Sequence, residues 1–408
     1  MKEYFNLYPH CVPINGKLGT TLYDFKNNTI YHLQSKESLI LRGISRGERI
    51  SKLRETHGAK NVENLLNLFT EKKIGEYGDT FVPREPYRKG SLKVLQLDEN
   101  IPLLNCFIEL PCSCPKNCSH CYSPKINGCF ACKKVANNYV LRNRDLGFYY
   151  NLVRDIISLG FSNIYFHGGD PLTNWGVTKE ILQFSSILKL SNQKLYLLTN
   201  GEMLNEERAD FLIQFNIVPI ILFDYTTDSI DLKTIEEISH YFKEHVNQII
   251  FNVVTSKNNA KKLNCLKQQL SELGIANIIP SIVINGKEES ILYYEELPTF
   301  GCDINSFSYL GIYHPCLTGS LAITSDKKVV PCPRLESEVL MDLKEHNSLL
   351  DLFDRKEEVL KYWKLSLENI EPCGTCEFKR MCMDCRAAEI AFSNILTKKS
   401  LCSYMEGW

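Results

Sequence analysis

The chain has 408 residues, of which 44% are hydrophobic and 23% charged. This length allows two or three domains with a sizeable core. The formal net charge is -1, and no long run of lysine and arginine occurs, so we expect no nucleic-acid partner. The first 25 residues lack the apolar core of a signal peptide, and no apolar stretch is long enough to span a membrane. We therefore expect a cytoplasmic protein without a membrane partner.

Seventeen cysteines are an unusual number for such a chain. Because cytosolic thiols are kept reduced, metal ligation explains them better than disulfides do. Eleven fall into groups with ligand-like spacing. Four others are expected to be core or surface thiols: Cys11, Cys106, Cys112 and Cys265. Cys129 and Cys132 stay undecided between a structural thiol pair, which we favour, and a group that faces the substrate.

The N-terminal region reads as a hairpin, short helices and a wing. Ser35 is a candidate N-cap for the helix that carries Leu39, Ile40 and Leu41. We therefore expect a winged-helix-like module over residues 1–85. The stretch from Gly78 to Leu97, which contains Pro83, Pro86 and Gly90, has no steady periodicity, and residues 86–104 are the expected linker.

A second domain is expected over residues 105–300, where apolar strand candidates alternate with amphipathic helices. Gly160 is expected to end the first of these helices. Such alternation predicts a parallel sheet with right-handed crossovers, either open or a partial barrel, with its chemistry at the C-terminal ends of the strands. The strand candidates are Asn105–Leu110, Asn163–His167, Lys194–Thr199, Ile217–Phe223, Gln248–Val254 and Ile278–Ile284. After about residue 300 the alternation stops and a third domain, 301–408, is expected.

Three cysteines follow the first strand candidate as Cys114-x3-Cys118-x2-Cys121. Three thiolates that hold four irons leave one iron with open coordination positions, as a cluster needs when it binds a cofactor directly. The alternative is a structural zinc site, for which His120 or Cys112 could supply a fourth ligand.

This loop resembles the CxxxCxxC loop of the radical S-adenosylmethionine (SAM) superfamily, with His120 where an aromatic residue usually stands. Gly168-Gly169-Asp170 resembles the family's Gly-Gly-Glu motif, and Thr199-Asn200 its Thr-Asn-Gly stretch. The resemblance implies a partial (β/α)6 TIM barrel, an iron–sulfur cluster that chelates SAM, and SAM contacts from these residues. Asp170 keeps the carboxylate with one carbon less. Many relatives have Ser-x-Asp where this chain has Leu222-Phe223-Asp224-Tyr225, a departure from the family's pattern at a ribose or substrate contact.

Eight cysteines form a C-terminal array that can hold two four-ligand clusters, although its densest part alone could be a zinc knuckle. The array resembles the SPASM extension of peptide-modifying radical SAM enzymes, which implies two auxiliary [4Fe–4S] clusters and three clusters in all. Two departures are Lys327 in place of a usual glycine and the short gap between Cys382 and Cys385. On this resemblance the nearer cluster takes Cys302, Cys316, Cys332 and Cys385, and the farther one takes Cys373, Cys376, Cys382 and Cys402.

The N-terminal module resembles the PqqD-like element of ribosomal peptide maturases, which binds a leader peptide by adding it as a strand to an exposed sheet edge. The alternative is a winged helix that binds DNA or only packs. The whole pattern implies a radical SAM enzyme that cross-links residues of a precursor peptide through a thioether or carbon–carbon bond, with a reducing partner such as flavodoxin or ferredoxin. Rivals are a formylglycine maturase for sulfatases, a peptide epimerase and a non-enzymatic zinc-binding adaptor. No general base can be chosen.

Overall fold

The computed structural model describes most of the chain. The described residues are 2–83, 102–116, 118, 121, 126–128, 130, 145–226, 232–256, 259, 263–284, 302–346, 348–402 and 404.

The N-terminal residues form two small antiparallel sheets and three helices. Strands β2 (Cys11–Asn15), β3 (Gly19–Asp24) and β4 (Thr29–Gln34) form one sheet in that order, while β1 (Tyr4–Leu7) pairs with β5 (Gly75–Gly78). Between β4 and β5 lie three helices: α1 (Ser35–Ser45), α2 (Ile50–His57) and α3 (Ala59–Glu71).

One apolar cluster holds these elements together. It joins Phe5 of β1 and Leu22 of β3 to Ile40 of α1, Leu53 of α2 and Leu66 of α3, all buried. The interpretation of Ser35 as an N-cap is wrong. Strand β4 runs straight into α1, so the extended Gln34 is the N-cap residue and makes no side-chain cap.

A ten-stranded, mostly parallel sheet forms the centre of the molecule. Its order is β15-β14-β13-β6-β8-β9-β10-β11-β12-β7, and the six strands from β6 to β12 in that order run parallel. All six strand candidates form, because each is a short apolar run bounded by turn residues. The strands are β6 (Asn105–Glu109), β7 (Ile126–Asn127), β8 (Asn163–His167), β9 (Lys194–Thr199), β10 (Ile217–Tyr225), β11 (Ile250–Thr255), β12 (Asn277–Val283), β13 (Ser320–Ile323), β14 (Lys328–Val330) and β15 (Met341–Asp342).

Helices connect the parallel strands. Helix α4 buries Tyr149, Val153 and Ile156 against the sheet and ends at Gly160, whose φ of 85° is left-handed as expected. The connecting helices are α4 (Leu146–Leu159), α5 (Trp175–Leu188), α6 (Glu206–Gln214), α7 (Leu232–Phe242) and α8 (Leu263–Glu272).

The C-terminal region contributes a strand that the sequence did not reveal. Strand β13 lies parallel to β6, from Ser320 beside Asn105 to Ile323 beside Ile108, and the β14–β15 hairpin extends the same sheet. The cysteine-rich region is thus attached to the central sheet by a full ladder.

The remaining C-terminal elements are short. They comprise α9 (Ile304–Tyr309), α10 (Lys356–Trp363) and α11 (Arg386–Ser393), together with 3-10 turns at Leu349–Arg355, Leu367–Asn369 and Cys373–Thr375. Two further 3-10 turns, Pro171–Asn174 and Lys243–Gln248, lie in the central region. Among the described residues, no helix is long and apolar enough to cross a membrane.

The placement of β13 in the central sheet can be tested with Leu321→Ala. Leu321 is fully buried, so its truncation should cost about 2–5 kcal/mol of unfolding free energy. The matched control is Leu350→Ala, because Leu350 is 44% exposed. Thermal unfolding of the anaerobically purified chain should show a clear drop in midpoint for Leu321→Ala alone; equal drops would contradict the placement of β13.

Candidate functional site

The C-terminal ends of β6, β8 and β9 bring three predicted motifs together. The Asn200 side-chain amide donates to Cys114 Sγ at 3.5 Å, and the Asp170 amide donates to the Ser113 carbonyl at 2.9 Å. The cysteine loop is therefore fastened to the strand ends that carry the other two motifs.

Two glycines make this approach possible. Gly168 and Gly169 have φ values of 112° and 56°, which favour glycine. A Cβ on Gly168 would overlap the Leu110 carbonyl oxygen, and one on Gly169 would overlap that of Cys112. The backbone that these glycines admit is that of the cysteine loop.

Asp170 is the buried carboxylate of the site. Its Oδ1 accepts hydrogen bonds from the Thr199 hydroxyl at 2.8 Å and the Leu172 amide at 3.1 Å, while no described residue donates to its buried Oδ2. Burial raises the pKa of Asp170, and the Thr199 and Leu172 donors oppose that shift. A buried carboxylate oxygen without a donor is costly. It fits a ligand that brings an ammonium group, as the amino group of SAM would.

Thr199 and Asn200 hold this arrangement in place. Asn200 Oδ1 accepts from the Glu202 amide at 2.9 Å, which closes the turn after β9 and aims the amide nitrogen of the same side chain at Cys114. Asp224 is instead occupied by its own turn, because it accepts from the amide and hydroxyl of Thr226.

The three loop cysteines differ from their neighbour Cys112. Cys121 is buried, and Cys114 and Cys118 are partly exposed. Burial raises the pKa of Cys114, while N–H donors from Lys116 and Asn200 lower it. Cys112 lies in the apolar core beside Thr178, and burial raises its pKa to about 12. Cys112 is thus placed as a core thiol rather than as a fourth zinc ligand. His120, Cys129 and Cys132 lie outside the described residues.

Four C-terminal thiols share one buried region. The charge of Cys402 raises the pKa of three other thiols: Cys373, Cys376 and Cys382. Cys382 likewise raises the pKa of Cys373 and Cys376. Burial raises the pKa of Cys373 and Cys382, with like charges adding to the shift. Four thiolates here would need a metal to compensate their charge.

The described C-terminal thiols include no three sulfur atoms within 4.8 Å of one another. Zinc bound at about 2.3 Å by four sulfurs places them about 3.8 Å apart. Within the described part of the chain, only His10, Cys11 and Asp24 offer three ligand atoms within 4.8 Å of one another.

Of the second C-terminal group, Cys316 lies beside His314. Cys316 Sγ lies 3.6 Å from His314 Nδ1 and 3.9 Å from the Asp384 carbonyl oxygen. Cys316, Cys332 and Cys385 all border the main apolar cluster. Cys302 has other surroundings: it is buried with Tyr23 and Phe307, and its thiol lies 3.3 Å from the Thr29 carbonyl of the N-terminal sheet.

Sequence reasoning missed the group of His10, Cys11 and Asp24. Strand pairing places Cys11 opposite Asp24, and His10 Nε2 lies 3.7 Å from Asp24 Oδ1. The Asp24 carboxylate already accepts from the Lys26 and Asn27 amides and from the Asn27 side chain. These bonds give it a role in the β3–β4 turn.

Sequence reasoning also missed a set of buried charges between the two thiol groups. Asp384 is buried, and so are three side chains that lie within ion-pair distance of its carboxylate: His314, Arg386 and Lys399. The one signal in the sequence is that charged residues flank Cys385 inside a cysteine-rich block.

Comparisons with known proteins agree with the geometry of the central domain. Residues 108–254 match the model of the radical SAM superfamily. A curated relative, the radical SAM cyclopropyl synthase TigE of Paramaledivibacter caminithermalis, is 25% identical over 239 residues, which cover 52% of this chain and 50% of TigE. The chain thus spans about half the length of this relative.

Two solved structures share the fold. The structure of anSMEcpe with bound AdoMet matches with a TM-score of 0.52 and 16% identity, covering 74% of this chain and 90% of that one. The structure of Streptococcus suis SuiB bound to its precursor peptide SuiA matches with a TM-score of 0.50 and 15% identity, covering 98% of this chain and 100% of that one. The family match over residues 108–254, together with the cysteine loop and Asp170, shows that the chain contains a radical SAM enzyme domain. The two solved structures share its α/β fold.

Proposed function

We propose that this chain is a radical SAM maturase that oxidatively cross-links two residues of a ribosomally made precursor peptide. The observation that carries the peptide part of the proposal is an apolar groove of about 790 Å³ between the N-terminal module and the C-terminal region.

The SAM site supports the radical part of the proposal. Cys114, Cys118 and Cys121 would hold the cluster, and Asp170 Oδ2, buried without a donor, would receive the amino group of SAM. When bound, this cluster would supply the electron that cleaves SAM to a 5′-deoxyadenosyl radical. Asn200 would hold Cys114 in place through its amide.

The groove has the form of a peptide site. Leu7 of β1, Ile14 of β2 and Ile44 of α1 line it on the module side, and Phe307 and Arg380 line it on the C-terminal side. A groove with apolar walls and few charged groups suits the apolar side chains of an extended peptide. We infer that the leader of the precursor binds here.

Strand β2 is the free edge of its sheet along this groove, since it pairs only with β3 in the described structure. The His10 carbonyl accepts from the Phe25 amide. Because backbone direction alternates along a strand, the backbone groups of Val12 and Ile14 point toward β3 and those of Pro13 point outward. Proline offers no N–H to an added strand. Recognition would therefore depend on side-chain pockets more than on a main-chain ladder.

The fold comparisons support a peptide maturase with an N-terminal module. The match to SuiB, captured with its precursor peptide, covers nearly the whole chain, whereas the match to anSMEcpe covers 74%. The name of TigE, a cyclopropyl synthase, is compatible with the carbon–carbon product.

The C-terminal thiols support the oxidative part of the proposal. Forming a cross-link removes two hydrogens from the peptide: one as a hydrogen atom to the deoxyadenosyl radical, the other as a proton and an electron. Auxiliary clusters held by the C-terminal cysteines would accept that electron. An epimerase needs no such acceptor, and deuterium uptake from solvent into the peptide would identify it.

Cys118→Ala tests the cluster assignment. The reconstituted chain should hold about twelve irons, and the variant about four fewer, with loss of 5′-deoxyadenosine formation on adding dithionite and SAM. The control is Cys265→Ala, whose thiol is exposed on α8. Zinc without iron, and no SAM cleavage by the unmodified chain, would leave the zinc-binding adaptor as the better reading.

Asp170→Asn tests the SAM contact. Asparagine keeps an oxygen for Thr199 and Leu172 but loses the charge, so we expect at least tenfold weaker SAM binding, from about 1.5–3 kcal/mol for a charged hydrogen bond. Equilibrium dialysis with the cluster-loaded chain measures it. Asp210→Asn, at an exposed position, is the control. Equal affinities in both variants would exclude the role of Asp170.

Ile14→Ser tests the groove. Loss of its apolar surface should weaken binding of the precursor peptide, which we expect to be encoded beside this gene, about tenfold. Fluorescence anisotropy of the labelled peptide measures this. Ile30→Ser is a matched control, since Ile30 packs in the same cluster around Tyr23 but does not line the groove. Equal affinities in the two variants would place the leader elsewhere.

A further inference from the structure

A buried set of polar side chains, three of them charged, lies between Cys382 of the farther thiol group and Cys316 of the nearer one. None of its members is more than 3% exposed: His314, Asp384, Arg386 and Lys399. Charges are costly to bury unless they are paired and hydrogen-bonded. Their arrangement therefore calls for a reason beyond packing.

Lys399 faces the farther thiol group. Its ammonium donates to the Met383 carbonyl at 2.7 Å and lies 3.5 Å from both Cys382 Sγ and Asp384 Oδ1. One carbonyl and one carboxylate thus aim the remaining N–H of the ammonium at the Cys382 sulfur.

His314 faces the nearer thiol group. Its Nδ1 accepts from the amides of Cys316 and Leu317, each at 3.1 Å, so its hydrogen is on Nε2, 3.0 Å from Asp384 Oδ2. Asp384 therefore connects a cationic contact at Cys382 with a neutral imidazole at Cys316.

The hydrogen bonds of the other nearby cations go to groups other than the thiols. Arg386 points at Asp384 and at the carbonyls of Leu396 and Lys398. Lys379 donates to the Gly374 carbonyl and pairs with Glu368 at 2.8 Å. Lys399 is the cation that the described contacts place on a thiol of the farther group.

We propose that Lys399 is a positioning residue that raises the reduction potential of the cluster held by Cys373, Cys376, Cys382 and Cys402. This inference rests on the proposed function, which supplies the cluster. Reduction adds one negative charge, and a buried ammonium that donates to a ligating sulfur stabilises the reduced state. The farther cluster becomes the better electron acceptor of the two auxiliary clusters.

Redox titration followed by electron paramagnetic resonance tests this in the full-length chain carrying Cys118→Ala, so that auxiliary clusters alone contribute. Adding Lys399→Met should lower the reduced-to-oxidised ratio of one cluster about tenfold at the original midpoint, a shift of about 59 mV for one electron. Lys399→Arg should keep most of the original potential. Lys398→Met, an exposed neighbour, should change nothing.

The outcomes separate the inference from the function beneath it. Fewer than about eight irons in the Cys118→Ala chain with Lys399 intact would refute the auxiliary clusters themselves. Full iron content with equal midpoints in Lys399→Met and Lys398→Met would overturn the role of Lys399 alone. If Lys399→Met and Lys399→Gln both lose four irons while Lys399→Arg keeps them, Lys399 retains the cluster rather than tuning it, and the proposal also fails.

Discussion

The close packing of the Gly168–Gly169 backbone against the cysteine loop is the constraint on which the site depends. Any side chain at either glycine would overlap a carbonyl oxygen of residues 110–112. This contact sets the loop beside Asp170, and Asn200 then fastens Cys114 from the next strand end. Three neighbouring strands of one sheet therefore fix the thiols and the carboxylate relative to each other, which is the preorganisation that a chelated cofactor requires.

Among the described residues, the C-terminal region buries more charged side chains than the central domain does. The central domain packs apolar helices on an apolar sheet, whereas the C-terminal region buries thiols together with Asp384, Arg386 and Lys399. An unpaired charge in such a place is destabilising. Arg386 and Lys399 both pair with Asp384. On the proposed function clusters would compensate the thiolates, so folding and cluster loading of this region should be coupled.

The sequence predicted the central strands well because each is an apolar run with a turn signal after it. Gly160 likewise ends its helix where the pattern indicates. Strand β13 escaped prediction because its four residues, Ser320–Ile323, stand alone in a cysteine-rich region, and only pairing with β6 makes them a strand. The buried contacts of Lys399 were also invisible, since its neighbours Met383 and Asp384 are about fifteen residues away. Long-range contacts decide both, and periodicity does not report them.

Tyr23 connects the two ends of the chain. Its ring packs edge-on against Phe307 at 4.8 Å, and it lies in one buried cluster with Cys302. Burial is the main cause of the raised pKa of Tyr23, and the thiols of Cys302, Cys376 and Cys382 add to the shift. Phe307 also lines the apolar groove. On the proposed function, a leader in the groove would therefore contact Phe307, which packs in one buried cluster with Tyr23 and Cys302. The N-terminal module and the C-terminal region share this cluster, so a leader bound at one would contact the other.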